Sequence, residues 1–401
     1  MAAPSEQEFT PSSTHLHTVH DHTDTAKETL LPHLRPHLPY AVTVYRRIQF
    51  GHLSSHAHIL ATIATDAAVR DPSSPSTYTP SIASCFAAAY VDRSRRPETE
   101  CWLYLPHDHP SHRASTSTST STSASTPLCT CTSTHLPSLL AHIATLPYPP
   151  LSLAHLADIH ASVNAPAFAA TAARYHTHTS APAARYLEDL ERPDLLKVGA
   201  MHAGGVGVAR GRGWLDGDGV GGGFAYRKYI FLRRGAEDDG EGWVPALPKG
   251  LRWGRIASDE EIALVRSRTA IPKTHATLRV LPSVAVFPER GRAEGEKVED
   301  EEAQMPVAWA FLAVDGSLST LHVEPEYRGK GLAKAMGRKL FRDGLVAFGD
   351  ELDGLAHADV ALENKESNGV CKSLGGIDEG WHVYWVRIDL ERVKAQLKGL
   401  Q

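Results

Sequence analysis

Between Leu318 and Leu345 the chain reads LSTLHVEPEYRGKGLAKAMGRKLFRDGL. Six of these residues, Arg328-Gly329-Lys330-Gly331-Leu332-Ala333, have the types and spacing to hold a pyrophosphate. The glycines remove Cβ atoms, so backbone N–H groups can converge on phosphate oxygens. Arg328 and Lys330 add positive charge. An apolar strand, Leu318–Val323, leads in. An amphipathic helix leads out, and its first turn aims unpaired N–H groups and a partial positive charge at the same spot. In that helix Leu332, Met336 and Leu340 recur every four residues with Phe341 beside them, one apolar stripe to lie on a sheet. The six residues alone are a weak signal. The strand–turn–helix setting makes it strong.

The neighbouring elements can be read outward from this turn. Ser258-Asp259-Glu260-Glu261 is a capping box opening a helix that runs to Ile271-Pro272. Ser283–Phe287 reads as a strand, and the acidic run from Arg290 to Glu302 as a solvated hairpin loop. Val307–Val314 is a buried strand, followed by Asp315-Gly316 with the chemistry of a tight hairpin. After the glycine turn and its helix come a strand at His357–Leu362, a short helix at Lys365–Leu374 stopped by Gly375-Gly376, and a closing strand at Trp381–Ile388.

The run HVEPEYRGKGLAKAM resembles the signature of the GNAT superfamily of acyl-CoA N-acyltransferases, and the resemblance covers residues 250–390. It implies a mixed α/β (α+β) sheet whose two central strands splay apart to admit acetyl-CoA or another acyl-CoA. It also implies a cofactor site on Leu321, His322, Val323 and the Arg328–Ala333 turn. A second family element is similar to Asn364-x-x-Ser367-x-x-Val370-Cys371-x-x-Leu374-Gly375-Gly376. By that resemblance Asn364, Ser367 and Cys371 also face the cofactor, and Asn364 can in addition cap the helix it precedes. Two positions depart from the pattern: Cys371 stands where the family has a Tyr that protonates the leaving thiolate, and Gly376 replaces a Phe.

The implied reaction is transfer of an acyl group to a primary amine, on a small molecule or a peptide. An amine of pKa about 10.4 is only about 0.1% neutral near pH 7.4, so a proton acceptor is valuable. Ser317 and Ser319 occupy the positions where relatives carry a base, and neither hydroxyl can serve. Asp315, His322 and Glu324 are left as candidates. His322 has the suitable ordinary pKa, although strand alternation sets it opposite Leu321 and Val323. The alternative is a non-catalytic acyl-CoA-binding or scaffold protein, favoured by the missing Tyr and opposed by the intact glycine turn.

A length of 401 residues implies two domains, and a formal net charge of −5 argues against nucleic-acid binding by bulk charge. No apolar run approaches the roughly 20 residues of a membrane-spanning helix. The N-terminus has no basic or apolar targeting segment, and five cysteines make no disulfide framework, so a cytoplasmic or nuclear setting is expected. Residues 1–27, with His15, His17, His20 and His22, read as a disordered leader. Residues 28–245 read as an N-terminal α/β domain, which analogy with tandem arrangements in the superfamily makes a degenerate copy of the same fold. Within it Ala41–Tyr45 and Cys101–Leu105 read as strands and Pro137–Leu195 as packing helices. The Ser/Thr tract 111–133 and the Gly-rich stretch 204–223 read as mobile loops. Cys129 and Cys131 with His135 lack the stiff frame of a structural metal site, and none is expected. Trp243–Arg252 is the boundary, and residues 250–401 form the C-terminal domain.

Overall fold

The computed structural model describes residues 16–63, 85–108, 131–164, 187–217, 223–232, 243–289 except 270 and 272, 304–349, and 354–398 except 379. The strands of the N-terminal half are β1 (His20–Asp21), β2 (Ala57–Ala61), β3 (Ala88–Asp92), β4 (Cys101–Tyr104), β5 (Leu195–His202) and β6 (Gly223–Phe231). Those of the C-terminal half are β7 (Leu251–Gly254), β8 (Ser283–Pro288), β9 (Ala308–Leu312), β10 (Leu318–Val323), β11 (Ala356–Ala361) and β12 (His382–Asp389). The helices, in chain order, are α1 (Ala26–Thr29), α2 (Leu31–Leu34), α3 (Val42–Phe50), α4 (Cys131–Ile143), α5 (Leu153–Val163), α6 (Ala203–Gly211), α7 (Asp259–Ser267), α8 (His275–Val280), α9 (Leu332–Asp343), α10 (Lys365–Ser373) and α11 (Leu390–Leu397).

One sheet has the order β1-β2-β3-β4-β5-β12-β6-β11 and the other β10-β9-β8-β7. The ladders are antiparallel except β4–β5, which is parallel. Each half has a strand–helix–strand unit toward its end, β5–α6–β6 and β11–α10–β12, the second followed by α11. The last strand of each is inserted between the two strands of the other: β12 pairs with both β5 and β6, and β6 with both β12 and β11. A division at Trp243–Arg252 separates the halves along the chain, while the hydrogen-bonded sheet runs across it.

The hydrophobic core likewise joins the halves. Its largest cluster holds Leu34, Tyr45, Ile48 and Tyr90 together with Trp309, Phe311, Met336 and Phe348. Helix α3 is the hub, with all nine of its residues buried. Val42-Thr43-Val44 read as strand by propensity, but a segment enclosed on every side has to satisfy its own backbone, and a helix does so internally. Arg46 and Arg47 pack within the same enclosure. Arg46 lies against Gly316, where an added Cβ would come within 3.0 Å of its side chain, and donates to the Leu355 carbonyl.

Two further expectations are corrected. The presumed leader is ordered from residue 16: His20 and Asp21 pair with Ala61 and Leu60, and Ala26 is buried. The Gly-rich stretch opens as helix α6, capped by the His202 side chain, which accepts the Gly204 N–H at 3.1 Å. Gly205 serves close packing, since a Cβ there would fall 2.6 Å from Leu105, whereas Gly207 and Gly211 face open space. Residues 218–222, 109–130 of the Ser/Thr tract, and 290–303 of the acidic run lie outside the described residues; 131–133 already belong to α4.

Candidate active site

Strands β10 and β11 meet in a single parallel bridge, Ser317↔His357, and part beyond it. The Arg328–Ala333 turn stands at the open end of that gap. Strand β10 pairs with β9 on its other side, with a bulge between Ser319 and His322 and a positive φ of 50° at Thr320. A bulge re-aims the side chains beyond it. It sets His322 opposite Trp309 and Ser319 opposite Phe311, so both lie on one face. Simple alternation from Ser319 would have put His322 on the other.

The chain then passes through a 3-10 turn at Pro325–Tyr327 into the glycines. Gly329 and Gly331 adopt left-handed φ values of 74° and 78°, and a Cβ on either would meet nothing within 4 Å. The space in front of the turn is therefore open. Gly331 is the N-cap of α9, with no side-chain cap and no acid in the first turn. The first helical bond runs from Ala335 N–H to the Gly331 carbonyl, so the earlier amides are outside the ladder. Arg328 is steadied by a 2.9 Å bond from Nε to the Val323 carbonyl. Lys330 lies 4.9 Å from the Tyr327 ring centre. Leu332, Met336, Leu340 and Phe341 are buried, and Ala333 is half-buried. An open concavity of free amides with two cations fits a pyrophosphate.

The candidate proton acceptors separate sharply. Asp315 is buried at the hairpin, at the opposite end of β10 from the turn. It accepts the Ser317 N–H (3.1 Å) and hydroxyl (2.7 Å). Burial pushes its carboxyl up, but His357, the Ser317 bonds and Lys228 outweigh this and hold it below the usual range. Asp315 is thus committed to the turn. His322 stacks on Trp309 with ring centres 4.7 Å apart, and its Nε2 lies 3.4 Å from Glu324 Oε2. Glu324 in turn accepts from Arg268 Nε at 3.0 Å. Burial lowers the His322 pKa below the ordinary value, more than Glu324 raises it. Leu321 and Val323 flank His322 on β10, half-buried.

Asn364 caps α10 by accepting the Ser367 N–H at 2.9 Å. Cys371 is buried in the core, and desolvation pushes its thiol up to about 12. It holds its proton throughout the physiological range. The departure at Gly376 has a structural cause in the other half: a Cβ there would fall 2.8 Å from Phe231 and 3.0 Å from Tyr229, both on the inserted strand β6. Tyr229 donates to Asn368 Oδ1 at 2.9 Å, and Asn368 in turn donates to the Ala361 and Asn364 carbonyls. The gap-bordering strand is therefore held by a residue of the N-terminal half.

The family model described as "Acyl-CoA N-acyltransferase verG N-terminal domain" matches residues 15–229, over half of the chain, and an FR47-like model matches residues 298–386. The chain belongs to the GNAT superfamily of acyl-CoA N-acyltransferases. Its two halves are tandem GNAT-like folds. No curated protein matches it. Among solved structures, a Drosophila protein is 11% identical, with a TM-score of 0.48 over 93% of this chain and 98% of its own. A tandem GNAT protein from the clavulanic acid biosynthesis pathway is 13% identical, with a TM-score of 0.42 over the same shares. A GCN5-related N-acetyltransferase from Sphaerobacter thermophilus is 11% identical, with a TM-score of 0.35 over 76% of each chain.

A second buried polar group in this GNAT protein escaped the sequence reading. Lys228 of β6 lies 2.7 Å from Asp359 of β11, and its Nζ is 3.3 Å from His357 Nδ1. His357 Nε2 donates to the Asp315 carbonyl at 2.8 Å, which leaves Nδ1 to accept from the lysine. The pair sits cross-strand, at register Asp359↔Lys228, and joins the two halves directly behind the gap. No sequence signal marks it, because its members are far apart in the chain. Among the described residues no His/Cys/Asp/Glu group is arranged to hold a metal ion, and no helix is long and apolar enough to cross a membrane.

Proposed function

We propose that the C-terminal half binds acyl-CoA in the β10/β11 gap and passes the acyl group, acetyl or longer, to a primary amine of a small molecule or peptide. The observation that carries this reading is the uncapped α9 terminus behind two left-handed glycines, standing at the open end of the gap. The amides of residues 329–334, with Arg328 and Lys330, would hold the pyrophosphate. The free edge of β10, around Leu321–Val323, would lie along the pantetheine arm, with Asn364 and Ser367 at the end of β11. When bound, acyl-CoA supplies a thioester carbonyl as the electrophile.

The remaining chemistry falls to this chain. Backbone N–H groups of β10 that face the gap are preorganised donors for developing negative charge. Making the amine neutral near pH 7.4 costs about 4 kcal/mol, and a neutral imidazole at His322 can take up that proton. Burial lowers the His322 pKa below its ordinary value, which favours the neutral ring. Cys371 is too firmly protonated and too deeply packed to be required as an acid.

The test is calorimetric titration of coenzyme A into the wild type and Gly331→Val, followed by thiol release from acetyl-CoA over a panel of amines. Binding that is lost in the variant, together with amine-dependent thiol release, supports the reading. Unchanged affinity in a folded Gly331→Val would refute the cofactor site. Binding without turnover on any amine would support the scaffold reading.

A further inference from the structure

Three groups line up on the β10 face that carries His322. Arg268, just past α7, donates from Nε to Glu324 Oε1 at 3.0 Å. Glu324 Oε2 lies 3.4 Å from His322 Nε2. The Trp309 ring lies under the imidazole at an interplanar angle of 21°. Nε2 is buried, with the Glu324 carboxylate as its nearby acceptor but no formed hydrogen bond at this distance, while the side chain as a whole remains 19% exposed. No hydrogen bond joins Nδ1 to another protein group among the described residues. The stack fixes the ring plane, and the carboxylate lies next to one nitrogen only. A neutral histidine carries one N–H, and the hydrogen bond at one nitrogen decides which nitrogen keeps the lone pair.

We propose that Glu324, anchored by Arg268, is a positioning residue: it draws the imidazole proton to Nε2 and leaves Nδ1 of His322 as the proton acceptor. This rests on the reading of His322 as the acceptor for the amine proton. It assigns Glu324 a role other than base. The Nε2···Oε2 distance is at the long end of hydrogen bonding, and such contacts in catalytic sites shorten when substrate binds. The charged groups facing the ring are Glu324, which favours the imidazolium, and Arg328 and Arg268, which oppose it. Removing Glu324 therefore leaves burial and two cations, and the midpoint of His322 must move to lower pH.

The experiment is nitrogen NMR of the full-length protein labelled at histidine, since a protonated ring nitrogen and one bearing a lone pair resonate far apart. With His322 assigned by its loss in His322→Gln, the wild type should show mainly the Nε2–H tautomer. Glu324→Ala should shift the ring to a mixture and move its midpoint to lower pH. Arg268→Ala, a change at a 44% exposed side chain, should loosen the tautomer to a smaller degree, while loss of a cation that opposes the imidazolium pushes its midpoint to higher pH; it guards against a folding defect in the first variant. Turnover of Glu324→Ala should fall at least about tenfold with coenzyme A affinity unchanged. A dominant Nδ1–H tautomer in the wild type, or an unmoved tautomer and midpoint in both variants, would overturn the proposal. Loss of coenzyme A binding in the wild type would instead strike the underlying functional reading, and the NMR result would still stand by itself.

Discussion

Replacing Lys228 by Met is the sharpest probe of how the two halves depend on one another. Lys228 is 2% exposed and lies 2.7 Å from Asp359, whose side chain is 3% exposed. Its Nζ is also 3.4 Å from Thr43 Oγ1 on α3. Methionine has similar volume, so the packing term is small and the charge dominates. Removing one member of a buried ion pair leaves the other uncompensated and costs about 3–5 kcal/mol. Whole-protein stabilities are about 5–15 kcal/mol, so the variant should lose a large fraction of its stability. Replacing both partners, Lys228→Met with Asp359→Leu, removes the stranded charge and should recover most of the loss. Urea unfolding followed by circular dichroism measures all three proteins. Because β6 and β12 each lie inside the other half's strand pair, the wild type should unfold in one transition. A loss under about 1 kcal/mol in Lys228→Met, or a double variant no better than the single, would refute the reasoning.

Two shorter predictions concern the departures from the family pattern. Cys371→Ala should lower turnover less than about tenfold, equal to roughly 1.4 kcal/mol, as checked by thiol release at saturating acyl-CoA; a hundredfold loss with the fold intact would make Cys371 catalytic. Restoring the family residue by Gly376→Phe should destabilise by at least the 1–3 kcal/mol typical of overpacking, because Phe231 and the Cys371 carbonyl both lie within 3 Å of the new Cβ. A variant as stable as the wild type in a thermal melt would show that β6 does not fill that space.

What the sequence disclosed was local. The capping box at Ser258 is formed as read, with Ser258 accepting the Glu261 N–H and Glu261 accepting the Ser258 N–H. The strand, turn and helix around Arg328–Ala333 stand where their period and glycines put them, because each depends on residues within a few positions. Segments whose conformation is set from a distance were misread. Residues 41–45 have strand propensity but are enclosed as α3, and the glycines after His202 looked like slack in the chain. They lie in a helix capped by His202 and packed through Gly205, Val206 and Ala209, with Leu105 and Met201 leaving no room for a side chain at Gly205. The bulge at Thr320 brings His322 onto the face of Ser319, while His322 stays opposite Val323 as alternation predicts; a bulge has no signature in this stretch. Least legible was the insertion of β6 between β12 and β11, since no local pattern encodes a partner over a hundred residues away.

The two halves follow a comparable plan and differ in the sequence that follows one turn. Strand β4 is followed by a 3-10 turn beginning at Pro106, as β10 is followed by one beginning at Pro325. After Pro325 the chain needs only Arg328–Gly331 to start its helix. After Pro106 the Ser/Thr-rich residues 109–130 intervene before α4. The 3-10 turn also ends in an acid: Asp108 is buried, takes the Leu105 N–H at 3.0 Å and lies 3.5 Å from His202. A buried carboxylate at the end of that turn opposes a phosphate, whereas in the C-terminal half the corresponding position is Tyr327, followed by Arg328 and Lys330, which attract one. Among its described residues the N-terminal half has the frame but no counterpart of the Arg328–Gly331 turn. What it supplies is structural and specific: β6 to border β11, Tyr229 and Phe231 against α10, Lys228 for Asp359, and α3 beneath the β9–β10 hairpin. Each of these contacts touches an element that borders the gap. The N-terminal half is thus built into the surroundings of the β10/β11 gap, through β6 beside β11 and through Tyr229 and Phe231 beside α10.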